Sequence, residues 1–205
     1  MNTTEISLSE QISPQNLPAW EQARTSILPF LAPVESPRDF APALRSHDTL
    51  AAMLTDKIKM YIAFFYKGIV IPLTEYLIRQ WNVSWSSVRL AMDKNMAALM
   101  HAVSLKPHVS PSGFSYYSVS HPLPICNSSL PFYKPFQREL HERFGETFYM
   151  AVPEKTTSVI FPANELTAYE AKLRNDVILT HDCSARPLST ELLEVSEAGV
   201  VALCD

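Results

Sequence analysis

The sequence predicts an α+β fold, with a mostly antiparallel sheet and helices packed on one face of that sheet. Short runs rich in aromatic and β-branched residues come in pairs separated by tight turns, which is typical of β-hairpins. Longer stretches with apolar residues at helical spacing follow these pairs. Because the strands come in adjacent pairs instead of alternating singly with helices, an antiparallel sheet is favoured over a parallel one.

The N-terminal part is expected to lie outside the main domain. Residues 1–17 are polar and predict a flexible tail, and residues 18–48 predict a helix followed by a Pro-rich connector. The helix has apolar residues at helical spacing from Trp20 to Leu31, and prolines end it. Residues 49–205 then form a single α+β domain, in which Leu50 to Leu54 begin as a short helical turn.

The first hairpin is the clearest element of that domain. Residues 57–66 alternate apolar side chains on one face, Lys67-Gly68 makes a two-residue turn, and residues 69–71 return. Thr74 is the expected N-cap of the helix that follows. Ser84 or Ser86 caps a second helix with a wide apolar stripe.

The second half repeats the pattern. Strands are predicted over 114–119, 147–152 and 158–161, and a short helix covers 136–144 and ends at Gly145. Glu139, Glu142 and Arg143 of that helix have the i, i+3, i+4 spacing of a solvated face. His141 lies among them, and Glu146 follows just beyond the helix.

The C-terminal region contains one further helix and three strands. Asn164 is the expected N-cap of a helix that runs to about Leu173, and residues 176–180 predict a strand. A terminal hairpin joins 192–195 to 199–203. Because Pro, a capping residue and Glu follow a hairpin in both halves, two related strand-strand-helix units are one interpretation; convergence on a common helix start is the other.

Composition excludes several functional classes. The chain has only 4 Gly, against about 14 expected at typical usage, and no two lie close together. Phosphate-binding loops and dinucleotide fingerprints need clustered glycines, so no nucleotide motif can be formed and no cofactor is expected. The 16 Pro are an excess, and six of them lie between residues 107 and 135.

Charge and cysteine usage predict a cytoplasmic protein. The net charge is −4 and the basic residues are dispersed, so no nucleic-acid partner is expected. Three cysteines at long spacings indicate thiols in a reducing compartment. The first residues have no basic start and no apolar stretch, so no signal peptide is expected. The sequence has no apolar run of about 20 residues, so no membrane partner is expected either.

Three stretches resemble a family of uncharacterised bacterial proteins, the YtpQ-like proteins, which carry a domain of unknown function. They are Ile27-Leu28-Pro29-Phe30-Leu31, the segment from Met60 to Met96 with its Met92-Asp93-Lys94-Asn95, and Thr147 to Phe161 followed by Pro187-Leu188-Ser189. The resemblance covers most of residues 27–204 and implies the same fold, no established reaction and no known cofactor. Glu154-Lys155-Thr156 stand where the family has a small residue and an Arg-Asp pair, so no role of that pair carries over.

Two groups of residues could carry chemistry. If residues 176–183 continue as a strand, His181 and Cys183 share a face with Arg186 nearby, which would suit an activated thiol; an inert thiol is the plainer interpretation. His101, His108 and His121 surround an irregular segment and could converge on a metal, although their spacing matches no compact ligand motif, so no metal is expected.

The aromatic residues of the Pro-rich segment are the candidate partner-binding surface. Amphipathic aromatic side chains are common binding hot spots, and long loops are often functional. The candidates are Phe114, Tyr116, Tyr117, Phe132, Tyr133 and Phe136. The sequence therefore predicts a non-enzymatic protein that binds another protein, with a homo-oligomer left open. A small enzyme and a protein that binds a small ligand in a cleft between sheet and helices are the alternatives.

Overall fold

Two antiparallel sheets and six helices make up residues 17–34 and 49–203, which are the residues that the computed structural model describes. The predicted α+β class with antiparallel pairing is confirmed. The predictions for the N-terminal tail before Leu17, for most of the Pro-rich connector and for Cys204 fall outside the described residues. No helix within the described ranges is long and apolar enough to span a lipid bilayer.

The smaller sheet is built around one long strand, β3. It contains β1 (Ile27–Pro33), β2 (Ala51–Met53), β3 (Ile58–Tyr66) and β4 (Ile69–Pro72). β1 pairs along one side of β3, and β2 and β4 pair with successive parts of its other side. The predicted β3–β4 hairpin is confirmed, and its turn residues Lys67 and Gly68 both have positive φ, 50° and 79°.

Two helices pack on the smaller sheet, and both predicted caps are confirmed. α2 (Glu75–Gln80) begins where the Thr74 hydroxyl accepts a hydrogen bond from the Leu77 N–H at 3.2 Å. α3 (Trp85–Met100) begins where the Ser84 hydroxyl accepts from the Ser87 N–H, also at 3.2 Å. Phe64 of β3 and Val88 of α3 are both fully buried between the sheet and these helices.

The structure differs from the prediction before β3. The helix predicted from Pro18 is confined to α1 (Trp20–Ala23), after which a 3-10 turn leads into β1. Residues 50–54 were predicted as a helical turn but contribute β2 instead. Pro29 and Pro33 fit β1 because it is an edge strand among the described residues, so the missing N–H of a proline breaks no ladder there.

The larger sheet has six strands in the order β10-β9-β7-β8-β6-β5. They are β5 (Ser104–Val109), β6 (Ser115–Ser120), β7 (Thr147–Glu154), β8 (Thr157–Pro162), β9 (Leu192–Ser196) and β10 (Gly199–Leu203). Both hairpins predicted for this half, β7–β8 and β9–β10, are confirmed. β5 was not predicted, because Lys106 and Pro107 interrupt its strand pattern.

Helices cover both faces of the larger sheet. Phe148 and Met150 of β7 pack against α4 (Lys134–Phe144), which ends at Gly145 as predicted. Tyr149 and Ala151, which point the other way, pack against α5 (Leu166–Lys172) and α6 (Arg174–Cys183). The sequence indicated helices on one face only, because the face that each helix covers is decided by packing between distant elements.

Residues 176–180, predicted as a strand, lie in α6, so that prediction is wrong. Tyr169, Leu173 and Val177 recur at intervals of four residues and are all buried in one hydrophobic cluster. This helical spacing outweighs the strand preference of the β-branched residues in the segment. Asn164 is also not an N-cap: it lies in a 3-10 turn, and no side-chain capping bond precedes α5.

The order hairpin then helix is observed in both halves, as β3–β4 followed by α2 and as β7–β8 followed by α5. The two hairpins belong to different sheets. A common origin of the two units stays a prediction.

Candidate functional site

The candidate thiol site of His181, Cys183 and Arg186 does not assemble. In α6 successive side chains are about 100° apart, so His181 and Cys183 point to different sides instead of sharing a strand face. The His181 Nδ1 atom lies 2.9 Å from the Asp182 carboxylate, and Cys183 is exposed. Arg186 follows the helix, where its carbonyl oxygen accepts from the Lys155 N–H at 3.3 Å.

The three candidate metal histidines lie in separate local contacts. His101 is the C-cap of α3. His108 stacks on Tyr116, and its Nε2 lies 2.7 Å from the Ser118 hydroxyl. The His121 Nδ1 accepts a hydrogen bond from the backbone N–H two residues later. Within residues 17–34 and 49–203 there is no group of three or more His, Cys, Asp or Glu side chains that could hold a metal ion.

The six candidate aromatic residues are divided between the two faces of the larger sheet. Phe114 is 2% exposed and belongs to the hydrophobic cluster under α5 and α6, together with Tyr116. Phe136, also 2% exposed, lies in the cluster under α4, with Phe132 and Tyr133 packed against it.

Tyr117 is the remaining candidate, and its ring is already occupied. The Arg143 guanidinium lies 4.4 Å from the Tyr117 ring centroid, and the Phe144 ring lies 5.2 Å away. The candidates therefore do not form one exposed surface in this conformation.

The tertiary structure forms a groove between α4 and the β9–β10 turn. It has a volume of about 480 Å³, which falls within the usual size of small-molecule sites. Its lining residues are all polar or charged, and they are Lys134, Gln137, Arg138, His141, Glu142, Ser196 and Glu197. Because α4 and the β9–β10 turn are more than 50 residues apart in the chain, no sequence motif joins them.

The packing of α4 determines which of its residues reach the groove. Phe136 and Leu140 are buried against the larger sheet, so they fix the rotation of the helix about its axis. Residues beside this apolar stripe then face the β9–β10 turn. His141 and Glu142, which the sequence indicated as part of a solvated helix face, line the groove.

Gln137 is the most unusual residue of the groove. It is only 6% exposed, and within the described part of the chain its side-chain amide makes no hydrogen bond. The residue is nearly buried, but its amide atoms are not among the fully buried, unpartnered atoms of the described residues, so the amide is open to the groove. The Gln137 amide therefore offers a donor and an acceptor to whatever occupies the groove.

His141 has a defined orientation. Its ring packs edge-on against Phe148 with centroids 5.1 Å apart, and its Nδ1 lies 3.1 Å from the Gly145 carbonyl oxygen. A carbonyl oxygen can only accept, so in the neutral ring the proton is on Nδ1 and Nε2 is the acceptor.

The β7–β8 turn contains Lys155, whose pKa is strongly shifted. Lys155 is 1% exposed, and its Nζ lies 4.4 Å from the Phe30 ring centroid. Burial, with a contribution from the charge of Arg186, lowers the pKa of Lys155 to about 7. Sequence reasoning missed this residue, because a lysine in a hairpin turn is expected to be exposed.

The neighbouring carboxylate is stabilised in its charged form. Burial would raise the pKa of Glu154, but hydrogen bonds from the hydroxyls of Thr157, Ser184 and Thr156 outweigh it and lower the pKa. The turn is thus held by hydroxyl-to-carboxylate bonds.

No protein-family model, curated protein or solved structure matches this chain. Membership of the YtpQ-like family stays a prediction from the residues quoted above.

Proposed function

We propose that this protein binds a small polar molecule in the groove between α4 and the β9–β10 turn and does not transform it. The observation that carries this proposal is Gln137, a nearly buried side chain that lines the groove without a side-chain hydrogen bond in the described part of the chain. The small exposed part of Gln137 includes its amide, which is open to the groove, so a bound polar molecule can take over the hydrogen bonds that this amide otherwise makes with solvent.

Binding without catalysis is supported by the lining of the groove. Ser196 is its only hydroxyl, and within the described residues it makes no side-chain hydrogen bond to His141 or to either glutamate. A nucleophile activated by a base needs such a contact. The two described cysteines, Cys126 and Cys183, do not line the groove.

Nuclear magnetic resonance on the whole chain tests the proposal. Tri-alanine, citrate and spermidine serve as zwitterionic, anionic and cationic probes, and the Gln137 side-chain amide is observed during each titration. We expect at least one probe to shift this amide and the backbone amides of α4. The absence of such shifts with all three probes would overturn the proposal.

A matched pair of variants separates binding from folding. Gln137→Leu removes the groove amide, and Gln80→Leu makes the same change at an exposed position of α2. Gln137→Leu is expected to change the free energy of unfolding by no more than about 1 kcal/mol, because the amide that it removes is open to solvent, while binding is lost. Gln80→Leu should bind as the wild type does, and equal binding by both variants would contradict the role of Gln137.

A second candidate function is binding of another protein, and β10 favours it, since it is an edge strand of the larger sheet among residues 17–34 and 49–203. The other edge of the larger sheet, β5, carries Lys106 and Pro107, and β1 of the smaller sheet carries two prolines; both are common protections against strand pairing. β10 reads Gly-Val-Val-Ala-Leu, with neither charge nor proline, and Val201 is 60% exposed.

The occupant that suits β10 is an extended, uncharged and mainly apolar segment of a partner protein. Such a segment pairs with the outward backbone groups of β10, and its side chains lie beside Val201 on one face and Val200 and Ala202 on the other. This interaction would not use the six aromatic residues.

A photoreactive amino acid at position 201, followed by mass spectrometry of the crosslinked peptide, tests the second candidate. We expect crosslinks to an extended segment of another protein that Val201→Lys abolishes. Val109→Lys places the same charge on the protected β5 edge and serves as the control. Crosslinks to β10 of a second copy, or crosslinks that survive Val201→Lys, would overturn it.

A further inference from the structure

We infer that the ligand of the groove is a short peptide of two or three residues with both termini free. This inference rests on the proposed function and specifies the chemistry of that site. It follows from the order of the charged and polar groups along the groove.

The N-terminal half of α4 supplies two cations. Lys134 and Arg138 are one helical turn apart, both are exposed, and both line the groove. Neither forms an ion pair within the described residues, although two carboxylates line the same groove. A guanidinium beside an ammonium is a suitable site for a carboxylate, which arginine can bind through two parallel hydrogen bonds.

The C-terminal half of the groove supplies two carboxylates. Glu142 lies one turn beyond Arg138, and Glu197 is on the β9–β10 turn. Ser196 pairs with Thr147, which comes three residues after the last residue of α4. This register places the β9–β10 turn, and therefore Glu197, beside the C-terminal end of α4. Two carboxylates without a basic partner among the described residues suit an ammonium group.

The distance between the two ends selects the length of the ligand. At 1.5 Å per residue, Glu142 lies about 6 Å along the helix axis from Arg138 and about 12 Å from Lys134. In a single amino acid one carbon atom separates the ammonium and carboxylate groups, which is too short. Two or three extended residues span about 7 to 11 Å.

Gln137 and His141 match the backbone of such a peptide. Gln137 lies between Lys134 and Arg138 along α4, beside the cationic end, and its amide has the same donor and acceptor as a peptide bond. The Nε2 of His141, which the Nδ1 contact with Gly145 leaves as an acceptor, suits an N–H of the same peptide. The volume of about 480 Å³ accommodates a ligand of this size.

Calorimetric titration with three forms of one peptide tests the inference. The probes are tri-alanine, N-acetyl-tri-alanine and tri-alanine amide, used at low ionic strength because exposed charges are screened by salt. We expect tri-alanine to bind and each blocked form to bind at least about tenfold more weakly, since each lacks one charge-assisted contact.

Charge variants assign each terminus to its end of the groove. The double variant Lys134→Gln with Arg138→Gln should bind tri-alanine and its amide equally, and Glu142→Gln with Glu197→Gln should bind tri-alanine and its acetylated form equally. Glu139→Gln, which neutralises an exposed glutamate of α4 outside the groove, is the control and should keep all three affinities.

The outcomes separate this inference from the proposed function. If the blocked peptides bind as tightly as tri-alanine, or if both double variants weaken all three forms alike, the peptide assignment is overturned. If citrate or spermidine shifts the Gln137 amide while tri-alanine does not, the proposed function stands and the peptide assignment falls. If no probe binds, both fall.

Discussion

His141 and Gly145 are joined by two hydrogen bonds at the end of α4. The Gly145 N–H donates to the His141 carbonyl oxygen at 2.9 Å, and the His141 Nδ1 lies 3.1 Å from the Gly145 carbonyl oxygen. The first bond ends the helix, and the second fixes the ring that lines the groove. The end of α4 and the geometry of the candidate site therefore depend on the same residue pair.

The Nδ1 contact predicts the tautomer of His141. In the neutral ring the proton should be on Nδ1, because the carbonyl oxygen of Gly145 can only accept. His121 is an internal control with the opposite expectation, since its Nδ1 accepts from the Leu123 N–H and its proton must be on Nε2. Nitrogen-15 spectra of the imidazole rings distinguish the two forms, and an Nε2–H form at His141 would contradict the structure.

Any other residue at position 145 should destabilise the protein. The Gly145 φ of 99° with ψ of −175° lies in a region that glycine alone adopts readily. A Cβ added at this position would meet no atom within 4 Å, so only backbone strain opposes substitution. Gly145→Ala is expected to lower the free energy of unfolding by about 1–3 kcal/mol in urea denaturation.

Asparagine provides the control for that strain. At Gly68, whose φ of 79° belongs to the β3–β4 turn, Gly68→Asn should be less destabilising than Gly68→Ala, because asparagine tolerates the left-handed region. At Gly145, Asn should be as destabilising as Ala. Recovery of stability by Gly145→Asn would show that the backbone there is left-handed helical instead.

The lowered pKa of Lys155 predicts that the protein becomes more stable between pH 7 and pH 9. The pKa of Lys155 is lowered from 10.5 to about 7 in the folded protein, so in this window the unfolded chain binds the additional proton. The free energy of unfolding should therefore rise with pH, by up to about 1.4 kcal/mol per pH unit.

Lys155→Met isolates this contribution, since it keeps most of the buried stem. The variant should be more stable than the wild type at pH 6 and should lack the rise. Above pH 9 the thiol of Cys126 has the opposite effect on stability. Burial raises the pKa of Cys126 from 9.0 to about 12, so between these values the unfolded chain loses the thiol proton more readily than the folded protein. The free energy of unfolding should therefore fall as the pH rises from 9 towards 12. Equal slopes for variant and wild type between pH 7 and pH 9 would contradict the assignment.

Thiol labelling should separate the two described cysteines. Cys126 is 2% exposed and its pKa is raised by burial, so iodoacetamide should modify it only after unfolding. Cys183 is exposed and should react at the rate it has in the unfolded chain. Peptide mass spectrometry locates the label. A rate at Cys183 far above that of the unfolded chain would favour the enzyme alternative over a binding protein.

Asn95 should contribute to stability out of proportion to its partial exposure. Its side-chain N–H groups donate to the carbonyl oxygens of Arg24 and Ile27, at 2.9 and 3.0 Å, and so tie α3 to the start of β1. Asn95→Ala is expected to lower the free energy of unfolding by about 1–3 kcal/mol. Asn95→Asp should lower it further, since a carboxylate would face two acceptors. Asn175→Asp, at an exposed position of α6, should change it little.

Sequence reasoning succeeded where neighbouring residues decide the structure. The β3–β4 turn at Lys67-Gly68, the caps at Thr74 and Ser84, and the end of α4 at Gly145 depend on backbone geometry and on hydrogen bonds within a few residues. These features were predicted because the side chains that form them are adjacent in the chain.

Sequence reasoning failed where distant partners decide. β1 has apolar residues at helical spacing, yet it is a strand because Ile27 to Pro33 pair with Phe64 to Ile58 of β3. The groove was missed for the same reason, since Gln137 and Glu197 are far apart in the chain and come together only in the folded protein.

The sequence by itself determined the α+β class, most of the hairpins and the absence of clustered glycines for phosphate binding. Only the tertiary structure decided which polar residues share a site, because burial and unpaired hydrogen-bonding groups arise from packing between elements. The charges of α4 looked like a solvated face, and packing of Phe136 and Leu140 on the sheet turned part of that face towards the β9–β10 turn.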